Sequence, residues 1–140
     1  MKPVNMKKDV IKAILTKIQS ELNNLHELLN KEKTLLAESD FENITEIAEL
    51  KKQIISEIEM NDARFKTILK DSNDSGSENN VHDIIIKHIP DCSNLWIEIE
   101  SLLKICKDKN SINGIILSNN RRQIQQRLSI LQGQSNEILT

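Results

Sequence analysis

Apolar residues recur at alternating steps of four and three along most of the chain, the spacing of helices that bury one face. Between residues 7 and 37 this repeat forms a heptad seam, which Glu32 interrupts once. The apolar members of the seam are Ile11, Leu15, Ile18, Leu22, Leu25, Leu29 and Leu36. The pattern therefore predicts a first helix over about 7–37.

A second helix is predicted over about 40–70. Its apolar stripe is interrupted by Lys51 and Asp62. The run Ser39-Asp40-Phe41-Glu42 has the form of a capping box, with Ser39 expected as the N-cap residue. Because only a few residues join the two helices, they are expected to pair as an antiparallel hairpin.

Polar residues dominate 71–80, which contain Gly76 and too few apolar side chains to form a core. This composition predicts a mobile linker. A short apolar patch follows at 81–89 and forms a helical turn or two at most, since Pro90 disfavours helical geometry at Ile89.

The third predicted helix spans about 91–132, between Pro90 and Gly133. Its heptad track carries three asparagines: Asn110, Asn113 and Asn120. At 1.5 Å per residue it measures roughly 60 Å, against roughly 45 Å for each of the others. The fold class expected is all-α: an antiparallel helical hairpin plus a long C-terminal helix, forming an elongated, coiled-coil-like three-helix bundle in one domain, 1–140.

The end of the third helix is expected to project beyond the hairpin and to leave an apolar stripe without an internal partner. Such a stripe is typical of a surface that receives an amphipathic helix. Asn110 and Asn113 either set the register of the bundle or contact the partner, and Gly114, unusual in mid-helix, fits either a bend or a close backbone approach. With the asparagines included, the predicted substrate-binding set is Asn113, Ile116, Leu117, Asn120, Ile124, Leu128 and Leu131.

Composition narrows the classes of partner. The formal net charge is -2 and aromatic residues make up 2% of the chain, so no basic footprint or stacking surface indicates a nucleic acid. Aliphatic runs such as Ile84-Ile85-Ile86 are far shorter than the roughly 20 residues of a membrane span. Without a signal-like N-terminus, and with two cysteines too far apart on one helix to bridge, the chain is expected to be cytoplasmic.

No catalytic motif, phosphate-binding loop or nucleophile elbow occurs, so the chain is not expected to be an enzyme or to need a cofactor. His82 and His88 are six residues apart on an irregular segment, which makes them a poor pair of metal ligands. Cys92 and Cys106 fall on the heptad track, where free cysteine usually packs as a small apolar residue.

The segment Asn110-Ser111-Ile112-Asn113-Gly114-Ile115-Ile116-Leu117 follows Trp96 and Cys106 and precedes Asn120, Leu128, Leu131 and Gly133. This arrangement resembles the C-terminal helix of FlgN-type flagellar chaperones, and the layout of the preceding helices resembles theirs too. The resemblance implies a cytoplasmic chaperone that holds the C-terminal helical segment of hook-associated proteins, prevents their premature association and delivers them to the flagellar type III export gate. Export gate and ATPase components are then further partners, and self-association is expected to be weak.

One departure from the family concerns the tail. Family members usually carry a Tyr-Gly pair thought to engage the gate, whereas this sequence contains no tyrosine. Two other functions stay open at this point: a coiled-coil oligomerisation module in which the same stripe closes on a copy of itself, and an enzyme whose histidines hold a metal.

Overall fold

The part of the chain that the structure describes is almost entirely helical. The computed structural model describes the backbone of residues 4–72 and 80–139 and the side chains of residues 8–71, 80–123, 125, 126, 129 and 130. Within these ranges the helices are α1 (Val4–Ala37), α2 (Phe41–Ser72), α3 (Val81–His88) and α4 (Ser93–Leu139), with a 3₁₀ turn at Pro90–Cys92 before α4. No strand occurs in the described ranges, and the expected all-α class is confirmed.

The junction of α1 and α2 differs from the capping box predicted at Ser39. Ser39 has φ 55°, in the left-handed region that ends helices. Its N–H donates to the carbonyl oxygen of Leu36, and the N–H of Asp40 donates to that of Leu35, so the last carbonyls of α1 are satisfied. The N-cap of α2 is Asp40, whose Oδ1 accepts from the N–H of Asn43 at 3.3 Å. The prediction of Ser39 as the N-cap was therefore wrong, because Ser39 ends the preceding helix instead.

Short elements close the end of the bundle before α4. The side chain of Asn80 caps α3 by accepting from the N–H of His82 at 2.9 Å. Ile85, at 0% exposed, anchors α3 in the core. Pro90 occupies the start of the 3₁₀ turn, where its missing N–H costs nothing. The apolar patch is thus a helix of two turns, and the long helix begins at Ser93 rather than at 91.

The C-terminal helix is longer than predicted. It continues to Leu139 and includes Gly133, which was expected to end it. A single glycine costs a helix about 1 kcal/mol relative to alanine, too little to stop a helix by itself. The predicted linker at 71–80 lies mostly outside the described residues: Asp71 and Ser72 finish α2, and Asn80 caps α3.

The core is built on α1, which packs against α2 on one side and α4 on another, while α2 and α4 approach each other far less. The buried apolar side chains of α1 are the predicted seam residues, together with Ile14. Phe65 and Leu69 of α2 and Ile99 and Cys106 of α4 complete the main cluster with residues of α3. The heptad reading of α1 is confirmed, and Cys92 and Cys106 pack in the core as expected.

Candidate functional site

α4 runs parallel to α1 in a register fixed by three polar side chains. Each donates a hydrogen bond to a backbone carbonyl oxygen 84 residues earlier in the chain. The pairs are Cys106 Sγ with Leu22 at 3.6 Å, Asn113 Nδ2 with Leu29 at 3.0 Å and Asn120 Nδ2 with Leu36 at 3.5 Å. Donors and acceptors both repeat every seven residues, so all three contacts fit a single alignment of the two helices.

Four polar residues that interrupt the apolar seams meet in one layer across the bundle. The Glu32 carboxylate of α1 accepts from Lys51 Nζ of α2 at 2.8 Å and from Asn113 Nδ2 of α4 at 2.9 Å. Lys51 Nζ also donates to Asn110 Oδ1 at 2.8 Å. Glu32 and Asn113 are buried, so the carboxylate is charge-paired and hydrogen-bonded where water is largely excluded. We call Glu32, Lys51, Asn110 and Asn113 the polar layer.

The polar layer divides the apolar interior. The main core cluster reaches Leu29 on α1 and Cys106 on α4 and ends there. Beyond the layer, Leu36, Ile44 and Ile47 are buried at the tip of the hairpin but do not belong to that cluster. At the hairpin tip α4 is held by a long amide hydrogen bond from Asn120 to Leu36, and the preceding Ile116 and Leu117 are half-buried.

The length of α4 leaves its last part beyond the hairpin. Asn120 lies beside Leu36, and α1 ends at Ala37. Residues 121–139 therefore continue past the hairpin for roughly 28 Å at 1.5 Å per residue. We call this part the distal segment of α4.

The predicted binding residues separate into three groups. Asn113 is 3% exposed and its amide donates a hydrogen bond inside the fold, so this side chain helps to fix the register of α4 on α1. Ile116, Leu117 and Asn120 are half-buried, and Asn120 contacts the hairpin tip through its bond to Leu36. The side chains of Ile124, Leu128 and Leu131 lie outside the described set, and their role in binding stays a prediction.

Exposed apolar side chains do occur along this part of α4. Ile115 and Ile130 are 61% and 60% exposed, and Ile112 is 52% exposed. Gly114 lies between two of them, and a Cβ added there would meet no heavy atom within 4 Å. The fold itself therefore gives no packing reason for a glycine at this position.

A second buried polar pair lies between α1 and α2. Asn61 Nδ2 donates to Glu21 Oε1 at 2.6 Å, and both residues are buried. Glu21 Oε2 is buried without a hydrogen-bond partner. Burial raises the pKa of the Glu21 carboxyl, and the nearby Glu57 raises it further. The sequence did not single out this pair, although Asn61 and Glu21 each border an apolar stripe.

The chemistry available to the described residues is limited. Both cysteines are free, and burial raises the pKa of the Cys92 and Cys106 thiols, which disfavours the reactive thiolate. His82 Nδ1 lies 3.7 Å from a Glu100 oxygen at the surface. Among the residues with described side chains, no three His, Cys, Asp or Glu are grouped closely enough to hold a metal ion. No helix in the same part of the chain is both long and apolar enough for a membrane span.

The fold and its interfaces define the class of protein: an all-α bundle whose last helix extends beyond the hairpin that anchors it. The family model described as FlgN protein matches residues 6–140, and the chain therefore belongs to the FlgN family. This is a family of flagellar export chaperones that bind hook-associated proteins, and it is not an enzyme family. No curated protein and no solved structure matches the chain.

Proposed function

We propose that this chain is a cytoplasmic export chaperone that binds the C-terminal helical segment of a flagellar hook-associated protein and delivers it to the type III export gate. The observation that carries the proposal is the extension of α4 past the end of the hairpin. The heptad track continues through this extension at positions 124, 128 and 131. Family membership supplies the class of client.

The binding mode is helix against helix. An amphipathic client helix places its apolar face on the α4 track formed by Ile116, Leu117, Ile124, Leu128 and Leu131. Each well-buried aliphatic side chain contributes about 1.5–3 kcal/mol before the entropy of ordering is subtracted. Several such contacts give binding that is tight and still reversible, as delivery requires. Covering the apolar face of the client also prevents its premature association.

The two asparagines of the predicted site have distinct roles in this mechanism. Asn113 aligns α4 on α1 and presents the distal segment in a fixed register. Asn120 makes a longer bond to Leu36 and is half-buried at the point where the hairpin ends. A client helix that reaches this point exchanges contacts with Asn120 at little cost, because the amide has further donor and acceptor capacity.

Substitutions in the distal segment test the proposal. The variant with Ile124→Asp and Leu128→Asp is expected to keep its helicity in circular dichroism and to bind peptides from hook-associated C-termini at least tenfold more weakly in calorimetry. The matched control carries Gln123→Asp and Gln126→Asp in the same segment, where both side chains are exposed. Unchanged affinity in the first variant means that the site is elsewhere.

The second candidate is a coiled-coil oligomerisation module, favoured by the exposure of Ile112, Ile115 and Ile130. Light scattering across a concentration series distinguishes the two functions. A chaperone is monomeric or weakly self-associating and forms a defined complex with the client peptide. An oligomerisation module is a stable dimer or larger assembly at every concentration, and the peptide leaves it unchanged.

Export-gate and ATPase components are the further partners expected of a chaperone. This sequence contains no tyrosine, so the proposed docking on these components does not use one.

A further inference from the structure

An apolar recess lies between α2 and α4, away from the distal segment. Its floor is formed by leucines of α1, including Leu25, and its walls by Ile55 and Ile58 of α2 and Leu103 of α4. The volume of the recess is about 230 Å³. Leu103 is 38% exposed and Ile55 and Ile58 are half-buried, so the recess is an open slot rather than a sealed cavity. We call it the α2–α4 slot.

Contacts between α2 and α4 flank the slot on both sides, and the one at Asn110 borders it directly. At one end the rings of Phe65 and Trp96 are 5.4 Å apart. At the other end Lys51 Nζ donates to Asn110 Oδ1 at 2.8 Å. The distance from Trp96 to Asn110 along α4 is roughly 21 Å, or about four helical turns. Between these contacts the two helices stand apart over an apolar floor.

We propose that the α2–α4 slot receives apolar side chains of an amphipathic helix of the client, which makes the slot a second contact for the protein bound by the distal segment. This inference rests on the proposed function. The slot is smaller than the roughly 300–1,000 Å³ of sites that enclose drug-sized ligands, so it suits a few projecting side chains. Its walls are helices, which offer grooves for side chains and no strand edge for an extended peptide.

The spacing of the walls specifies the pattern on the client. From Leu103 to Asn110 the slot extends along α4 by roughly 10 Å, or two helical turns. Three apolar side chains at positions i, i+3 or i+4, and i+7 of a helix cover that length. The helix lies over the slot as a fourth member of the bundle.

Charges on the rim specify the orientation of that helix. Glu59 lies on the α2 wall and Lys107 on the α4 wall. A client helix with basic residues on its α2 side and acidic residues on its α4 side matches both walls, and the reversed helix places like charges together. The slot and the distal segment share one side of α4, because Leu103, Asn110, Leu117 and position 124 repeat every seven residues. One client can therefore contact both.

A pair of substitutions on α4 tests the slot. Leu103 and Ile105 are equally exposed, at 38%, but only Leu103 lines the slot. Leu103→Glu is expected to weaken binding of a hook-associated C-terminal peptide about tenfold or more, whereas Ile105→Glu leaves the affinity unchanged. Circular dichroism checks that both variants are folded. Equal affinities for the two variants would falsify the slot as a client contact.

The charges give an independent measurement. Lys107→Glu is expected to weaken binding of the same peptide. A peptide whose acidic flank is changed to lysine is expected to restore the affinity for this variant. Trp96 is the only tryptophan of the chain and its contact with Phe65 lies about two turns of α4 before Leu103, so a change in its fluorescence on peptide binding is a supporting measurement. Absence of rescue overturns the proposal.

The outcomes also separate this proposal from the proposed function. If the distal variant loses the peptide and Leu103→Glu does not, the chaperone function stands and the slot is not part of it. If the wild-type chain binds no such peptide, the proposed function is wrong, and the slot proposal that rests on it is wrong as well. If Leu103→Glu instead dissociates a dimer seen by light scattering, the slot holds a second copy of this chain and the client assignment is wrong.

Discussion

The amide of Asn113 on α4 donates a hydrogen bond at 3.0 Å to the backbone carbonyl oxygen of Leu29 on α1. The same amide nitrogen lies 2.9 Å from Glu32 Oε1. One buried side chain therefore both fixes the register of α4 on α1 and belongs to the polar layer. A shift of α4 by one residue along α1 breaks this contact and the parallel ones at Leu22 and Leu36. Polar groups on an apolar seam commonly specify register in this way, at some cost in stability.

Asn113→Ala is expected to lower the free energy of unfolding by about 2 kcal/mol, because it removes two buried hydrogen bonds and leaves their acceptors with fewer partners. Urea denaturation followed by circular dichroism measures the change. Asn119→Ala is the control: Asn119 is exposed on the same helix, and its loss is expected to cost less than about 0.5 kcal/mol. Equal effects for the two variants contradict a structural role for Asn113.

Lys51→Met is expected to lower the free energy of unfolding by about 3 kcal/mol, since it leaves the buried Glu32 carboxylate without its charge partner. Adding Glu32→Gln to that variant is expected to recover part of the loss, because the charge that lacked a partner is then gone. A double-mutant cycle from chemical denaturation gives the coupling. Lys52→Met, at the exposed neighbouring position, provides the control. Additive losses from Lys51→Met and Glu32→Gln argue against the pairing.

Glu21 makes stability depend on pH. Its folded-state pKa is raised above the ordinary value of 4.5, so the folded chain holds this proton more tightly than the unfolded chain does. Its contribution to stability is therefore greatest below pH 4.5 and is lost as pH rises through the folded pKa. Glu21→Gln is expected to stabilise the protein at pH 7 by about 1 kcal/mol, since the variant no longer buries a negative charge near Glu57.

Denaturation of the wild type and Glu21→Gln between pH 4 and 8 measures this dependence. The difference in unfolding free energy between the two is expected to increase with pH above 4.5 and then to level off. Glu27→Gln serves as the reference, because Glu27 is exposed on the same helix. A pH-independent difference rules out titration of Glu21 as its origin.

Gly114→Ala is expected to raise the free energy of unfolding by about 1 kcal/mol, because alanine favours the helix and the added Cβ meets open space. Thermal unfolding followed by circular dichroism at 222 nm detects the increase. Ser118→Ala, one turn later and also exposed, is expected to give a smaller gain. A loss of stability at Gly114 indicates that the helix needs the freedom of glycine there. Weaker peptide binding with higher stability indicates that a client backbone approaches this position.

The apolar repeat alone was enough to predict the class and order of the long helices, because residues at steps of three and four share a face whatever that face packs against. It also predicted that α4 is the longest helix, since the breakers stand far apart in that part of the chain. Boundaries were less accurate. Ser39 ends α1 rather than starting α2, and Gly133 lies within α4, because hydrogen bonding and neighbouring helical residues decide what a single residue does.

The sequence by itself determined that the protein is helical, that its core is aliphatic and that Glu32, Lys51, Asn110 and Asn113 interrupt the seams. Only the tertiary structure decided that these four polar residues meet, since they come from three separate helices, with Asn110 and Asn113 sharing α4, and their distances depend on how those helices align. The α2–α4 slot has the same origin. Periodicity along one helix specifies which face is apolar, whereas a space between two helices exists only after both have packed on a third.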